Sequence, residues 1–306
     1  MSHKPVMLKE VLHHLKAKDG ETYLDCTFGA GGYSRAILQS ANCQLYAIDR
    51  DILAQEFALN LQEEFPQNFH FLRGQFSNCQ ELLQKAGIKE IDAMVLDIGV
   101  SSMQLDLMER GFSFDSDEKL DMRMDQNSYP SAFEVVNEMS ESDLARIIKD
   151  FGDEPKARQI AKRIIAARQQ NTITSCRNLA DIARSLYIGY SKTDAATRTF
   201  QAIRIFVNSE LDELKQALNA SLALLKKGGR LIVVSFHSLE DAIVKNFLKE
   251  QAGLSKTFSR YQPLTNEDEV EKKFKIITKS SISPTSEEVK NNIRARSAKM
   301  RVAIKL

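Results

Sequence analysis

Over the first hundred residues, short apolar runs alternate with amphipathic stretches. Thr22–Thr27, Gln44–Asp49, Phe69–Arg73 and Ala93–Ile98 read as buried strands. Between them, Tyr33–Gln39, Ile52–Leu61 and Gln80–Ala86 read as helices. Strands alternating with helices predict a parallel sheet covered by helices on both faces. The pattern then changes. From about Glu109 to Ala196 the spacing is helical, as in Ser142–Ile148, Ile160–Ile165 and Leu179–Leu186. Thr197–Leu225 reads as one long helix ended by Gly228-Gly229. A buried strand, Arg230–Ser235, and a helix, Leu239–Gln251, follow. Two late strands, Phe274–Thr278 and Ala298–Ile304, flank a loop at Ser280–Ser286. The expected fold is α/β, a doubly wound Rossmann-like sheet. Its domain is discontinuous, 1–108 and 197–306, and an inserted helical domain spans 109–196.

Composition narrows this only slightly. Of 306 residues, 43% are hydrophobic and 27% charged, which suits a globular chain with a real core. The first residues lack a signal peptide's apolar stretch, and no run is long enough to span a bilayer. The expectation is a cytoplasmic protein with no membrane partner. Cys26, Cys43, Cys79 and Cys176 are widely separated and form no C-x-x-C pair, so reduced thiols are expected and no metal.

The net charge of +1 conceals segregation. Glu109–Glu154 holds five Lys/Arg against thirteen Asp/Glu, whereas Pro155–Ile205 holds ten against two. Ser255–Leu306 holds twelve against six, and Lys290–Leu306 contains no acid. Such basic stretches either track phosphates or pair with the acidic segment before them.

Chemistry concentrates at the ends of the expected strands. Asp25-Cys26-Thr27-Phe28-Gly29-Ala30-Gly31-Gly32 lies between the first strand and first sheet helix. A glycine-rich turn there lets a ligand approach the backbone. Asp49 ends the second strand, where a carboxylate can bind ribose hydroxyls. Asp97 lies at the end of the fourth. A nicotinamide or flavin enzyme prefers G-x-G-x-x-G. The spacing Asp25-x-x-x-Gly29-x-Gly31 instead resembles the first motif of class I S-adenosylmethionine-dependent methyltransferases, whose sheet closes with an extra terminal strand pair.

More specific strings run the length of the chain. They include His3–Leu8, Thr27–Gly32, Leu96–Asp106, Arg110–Phe114, Leu120–Asp125, Thr197–Arg204, Ser235–Asp241 and Arg294–Ser297. Together they resemble the bacterial 16S rRNA cytosine-N4-methyltransferases known as RsmH or MraW. The resemblance implies methyl transfer from S-adenosyl-L-methionine to the N4 amine of one cytidine, cytosine 1402, in the decoding region of 16S rRNA. It implies 16S rRNA as partner, within the small ribosomal subunit or a late precursor. Family cofactor contacts carry over onto Gly31, Gly32, Tyr33, Asp49, Phe76, Asp97 and Gln104. Phe76 has a second reading as ordinary core. The chain departs from the family pattern at Tyr33, often His, at Met103, often Pro, and at Glu118-Lys119, often Gly-Pro.

For catalysis the candidates are Asp97, Ser101 and His237. Asp97 can assist electrostatically, and Ser101 with nearby carbonyls can orient the amine. His237 is either a base contact or proton relay, or a structural turn histidine. For RNA the candidates are Arg198, Arg204, Arg294, Arg296 and Arg301. Arg198 and Arg204 face either RNA or ion pairs within the fold. The last three lack a local acid in sequence. Two competing functions are a dinucleotide-dependent oxidoreductase, which the glycine pattern fits poorly, and an RNA-binding assembly factor without catalysis.

Overall fold

The computed structural model describes residues 5–188, 194–254 and 271–306. The chain forms two compact units: Met1–Gly99 with Leu211–Leu306, and Val100–Glu210.

The first unit is built on seven strands, β1 (Thr22–Asp25), β2 (Gln44–Asp49), β3 (Phe69–Arg73), β4 (Ile91–Asp97), β5 (Leu225–Ser235), β6 (Phe274–Ile276) and β7 (Lys299–Lys305). Their order is β3-β2-β1-β4-β5-β7-β6. The first five are parallel, and β7 runs antiparallel between β5 and β6. This is the expected doubly wound sheet with its terminal pair. Alternate residues feed two cores. Tyr23, Leu45, Val95 and Ile232 share one with Val11, Ile37 and Leu61. Leu24, Tyr46, Leu96 and Val233 share the other with Leu83, Leu218 and Val244. Strands buried on both faces read as continuous apolar runs, which is why they were legible. The chain walks outward from β1 to β3 and then returns to β4 on the other side of β1. Such a reversal is where open α/β sheets bind ligands.

Several elements differ from expectation. Leu8–Leu15 is a helix, with Leu8, Val11, Leu12 and Leu15 on one stripe. Thr197–Leu225 is two helices, Thr197–Asn208 and Glu210–Leu224, broken at Ser209, whose φ is +51°. No glycine or proline announces that break. β5 begins at Leu225 and runs through Gly228-Gly229, with an irregular register against β4. Within Ser280–Ser286, Ile282 bridges to Met300, and a short helix, Ser286–Asn291, follows.

The second unit packs the helices Ala132–Glu138, Glu141–Gly152, Ala157–Gln170, Cys176–Arg184 and Thr197–Asn208 around their own core. It includes Val100–Met108 and Thr197–Glu210, beyond the 109–196 span expected for the insertion. Leu120–Asp125 is an internal strap: Leu120, Met122 and Met124 are buried, while Arg123 clasps Asp121 through two hydrogen bonds of 2.8 and 2.7 Å. Asn208 fastens it, accepting from Met124 N–H at 2.8 Å and donating to Met122 C=O at 2.8 Å. Arg110 donates to the carbonyls of Arg123 and Met124 at 3.0 Å.

Glu141–Gly152 and Thr197–Asn208 meet closely at Gly152. A Cβ there would stand 2.5 Å from the Arg198 carbonyl oxygen. Gly152→Ala forces the helices apart, and the expected loss is about 1–3 kcal/mol. Urea denaturation followed by circular dichroism measures it; a variant as stable as the parent would show that this crossing yields without strain.

Candidate functional site

The glycine turn is held from below by β2. Phe28 N–H donates to Ile48 C=O at 3.0 Å, and Gly29 N–H donates to Asp49 Oδ2 at 2.8 Å. Asp49 Oδ1 accepts from Asp51 N–H at 2.8 Å. Each carboxylate oxygen keeps a further lone pair for a hydroxyl ligand. Gly31 has φ +77° and caps the helix Gly32–Ser40. The side-chain space at both glycines is taken by the protein itself. A Cβ on Gly31 would meet the Phe28 ring at 2.9 Å, and one on Gly32 would lie 2.2 Å from Pro5 Cγ. Close packing of the N-terminal segment therefore requires glycine at 32, independently of any ligand. Tyr33 continues that anchoring: its buried hydroxyl donates to the Val6 carbonyl. Phe76 opens a short turn after β3 and is half-buried against the second core.

Asp25 and Asp97 end adjacent parallel strands. Thr27 ties them together, donating its N–H to Asp25 Oδ1 at 3.1 Å and accepting Asp97 N–H on Oγ1 at 2.7 Å. Asp25 is fully buried and also accepts from Ser34 Oγ at 2.7 Å. Burial pushes its pKa up to about 6, the hydrogen bonds only partly opposing it. Burial, then the neighbouring Asp25 and Glu240, raise Asp97 well above the usual carboxylate range. Asp97 Oδ1 is buried with no hydrogen-bond partner among the described residues. Burial likewise raises Asp49.

His237 caps the helix Ser238–Gln251. Its Nδ1 accepts from Glu240 N–H at 3.4 Å. Nε2 lies 2.9 Å from Glu240 Oε1. Glu240, fully buried, accepts the N–H groups of Phe236 and His237 at 2.8 and 3.2 Å. Glu240 is a member of this acid cluster that the sequence did not single out. Its position three residues after His237, completing a capping box, was the available signal.

In the other unit, Ser101 caps the short helix Ser102–Asp106. Ser101 Oγ accepts from Gln104 N–H at 3.3 Å, and Gln104 Oε1 accepts from Ser101 N–H at 3.0 Å. The candidate RNA arginines separate into two kinds. Arg204 makes two 2.8 Å hydrogen bonds to Glu210, and Arg301 makes bonds of 2.7 and 3.0 Å to Asp241. Arg301 has no local acid in sequence, but the fold supplies one: Asp241 comes from a helix sixty positions away in the chain. Arg198, Arg294 and Arg296 are exposed, the last two on a 3₁₀ turn at Ile293–Ser297.

A family model described as the MraW methylase family matches residues 1–306. The chain belongs to that family. It is 50% identical over 304 residues to ribosomal RNA small subunit methyltransferase H of Rickettsia massiliae, covering 99% of this chain and 97% of that one. It is 49% identical to the protein of that name from Parvibaculum lavamentivorans, covering 98% and 88%, and 47% identical to the one from a Wolbachia strain, covering 100% of both. A methylase with this sheet takes its methyl group from S-adenosylmethionine. The site suits that group. A buried carboxyl with an unpartnered oxygen, beside two further acids, is complementary to a cationic ligand carrying sulfonium and ammonium charges. No described helix of this MraW-family chain is long and apolar enough to cross a membrane.

Two consequences are measurable. Asp25 has a folded pKa of about 6 and an unfolded one near 3.8. The folded state thus holds more protons between those values, and stability falls as pH rises through that window. Asp25→Asn removes this dependence, so between pH 4 and pH 7 the parent loses up to about 3 kcal/mol more stability than the variant; chemical denaturation at both pH values reads it, and an equal loss in the two proteins would refute the buried-acid account. Second, a cation beside Asp97 favours its ionised form. Binding of S-adenosylmethionine releases protons and strengthens with pH. Asp97→Asn flattens that profile and weakens binding about 10–100-fold. Calorimetry in buffers of different ionisation enthalpy checks both effects.

Proposed function

We propose that the chain is an rRNA methyltransferase that modifies the N4 amine of a single cytidine, cytosine 1402, in the decoding region of 16S rRNA. The whole-chain family match carries this reading, supported by near-50% identity to proteins named for small-subunit rRNA methylation. The cofactor side falls to Gly31, Gly32, Tyr33, Asp49, Phe76 and Asp97 of the sheet unit. Tyr33 contributes through its backbone, because its hydroxyl is engaged with Val6. Gln104 is assigned by resemblance alone.

The cytosine amine is a weak nucleophile because its lone pair is delocalised into the ring. S-adenosylmethionine, when bound, supplies an electrophilic methyl group on sulfur. The chain has to expose the base, hold the amine in line and accept hydrogen bonds from its N–H groups. Asp97 Oδ1 and the backbone following β4 are the acceptors assigned to that work; Ser101 is assigned by its sequence position alone. Gly99, at φ +138°, shapes this backbone, since a Cβ there would stand 3.2 Å from the Phe236 ring. His237, capped onto Glu240, is a positioning residue for the Phe236–Glu240 turn. No dedicated general base is assigned among the described residues, and orientation supplies most of the catalysis. The unit Val100–Glu210 serves substrate recognition, and the substrate is the small subunit or a late precursor.

Small subunits lacking decoding-region methylation, incubated with labelled S-adenosylmethionine, test this directly. The expected product is N4-methylcytidine at one position, located by digestion and mass mapping. Label at another atom or another nucleotide would overturn the assignment.

A further inference from the structure

The helix Ala157–Gln170 buries Ala157, Ile160, Ala161 and Ile164 in the core of the second unit. Its outer face carries Arg158, Gln159, Lys162, Arg163, Ala166, Gln169 and Gln170, all exposed. Arg158, Lys162, Ala166 and Gln170 recur at i, i+4, i+8 and i+12, forming a stripe about 18 Å long. Not one of the helix's fourteen residues is acidic. Among the described residues, Arg158, Lys162 and Arg163 have no ion pair or hydrogen-bonded side-chain partner. The contrast with other surface cations is sharp: Arg146, Arg177 and Arg184 each hold an aspartate within 3.4 Å.

This arrangement works against the helix that carries it. Arg158 sits in the first turn, where the helix dipole favours negative charge. Arg158 and Lys162 are one turn apart, so they repel by a few tenths of a kcal/mol. No acid in the helix offsets either effect. Arg168, by contrast, points back and donates to the Val136 carbonyl at 2.9 Å. The outward cations therefore serve something outside the fold. Between them and the two terminal glutamines lies Ala166, short enough to let a partner's backbone come close. Three cations, amides that both donate and accept, and a flat centre match a polyanion with hydroxyls along its backbone.

We infer that the outer face of Ala157–Gln170 docks the sugar–phosphate backbone of the substrate RNA, Arg158, Lys162 and Arg163 contacting phosphates and Gln159, Gln169 and Gln170 reaching phosphate or 2′-hydroxyl oxygens. This rests on the reading of the chain as an rRNA methyltransferase. The contacts carry no base information, so they supply affinity and register rather than choice of cytidine.

The test is equilibrium binding of the full-length protein to labelled, protein-free 16S rRNA across a potassium chloride series. The triple variant Arg158→Gln/Lys162→Gln/Arg163→Gln is compared with the parent and with Lys245→Gln/Lys249→Gln, which removes exposed cations from the sheet unit. The outer-face variant loses about 10–100-fold in affinity at low salt, and the slope of log affinity against log salt falls by about 2–3. Its affinity for S-adenosylmethionine and its unfolding midpoint stay at the parent's values. An outer-face variant with the parent's affinity and slope, or a loss matched by the Lys245/Lys249 control, would overturn the assignment. A parent that binds RNA through this helix yet forms no N4-methylcytidine would refute the proposed reaction and leave the docking surface in place.

Discussion

Burying a carboxyl group at the end of a parallel strand is costly unless something in the fold, or in a ligand, offsets it, and this chain does so at two adjacent strands. Asp25 and Asp97 end β1 and β4, and Glu240, in the helix Ser238–Gln251 after β5, adds a third acid beside Asp97. Much of the first unit is arranged around that burden. Thr27 uses both its amide and its hydroxyl oxygen to link the two strand ends. Ser34 reaches back from the next helix to Asp25. Pro5 and Val6 close over Gly32 and Tyr33, covering that helix's start. Asp97 Oδ1 is left without a hydrogen-bond partner among the described residues, and an uncompensated buried oxygen is where a cationic ligand gains most.

The second unit solves a different problem. Its helices pack around a strap of irregular backbone, and buried irregular backbone must find hydrogen-bond partners. Arg110, Asn208 and the Asp121–Arg123 clasp provide them. Strings such as Arg110–Phe114 and Leu120–Asp125 look like reactive motifs because they mix charge with apolar residues. The mixture reflects a core that must hold backbone as well as side chains. Gly111 fits the same account: with φ +73°, a Cβ there would stand 2.7 Å from both the Lys119 oxygen and the Asp121 nitrogen.

Charge follows this division of labour. The sheet unit gathers acids at its strand ends, the place proposed for the sulfonium compound. The helical unit spends several arginines on internal or surface aspartates and leaves one helix face cationic. A methyltransferase acting on RNA needs both, because its two substrates carry opposite charge.

The strands, the glycine turn and the acids at the strand ends were legible in the sequence because each depends on local pattern. Doubly buried strands are continuous apolar runs, and a turn with positive φ asks for glycine wherever it occurs. The break at Ser209 was not legible, since a serine can adopt that backbone only where the surrounding packing imposes it. The helix Leu8–Leu15 had its signal in Leu8, Val11, Leu12 and Leu15, but eight residues form a marginal helix until a core receives them. Pairing was beyond the sequence altogether. Nothing near Arg301 in the chain predicts Asp241, and nothing near Arg184 predicts Asp115, which joins Asp181 and Asp194 around its guanidinium. Sequence determined which elements form and which chemistry the strand ends carry; tertiary structure decided which charges are spent inside the protein, because an ion pair depends on distance in space and not along the chain.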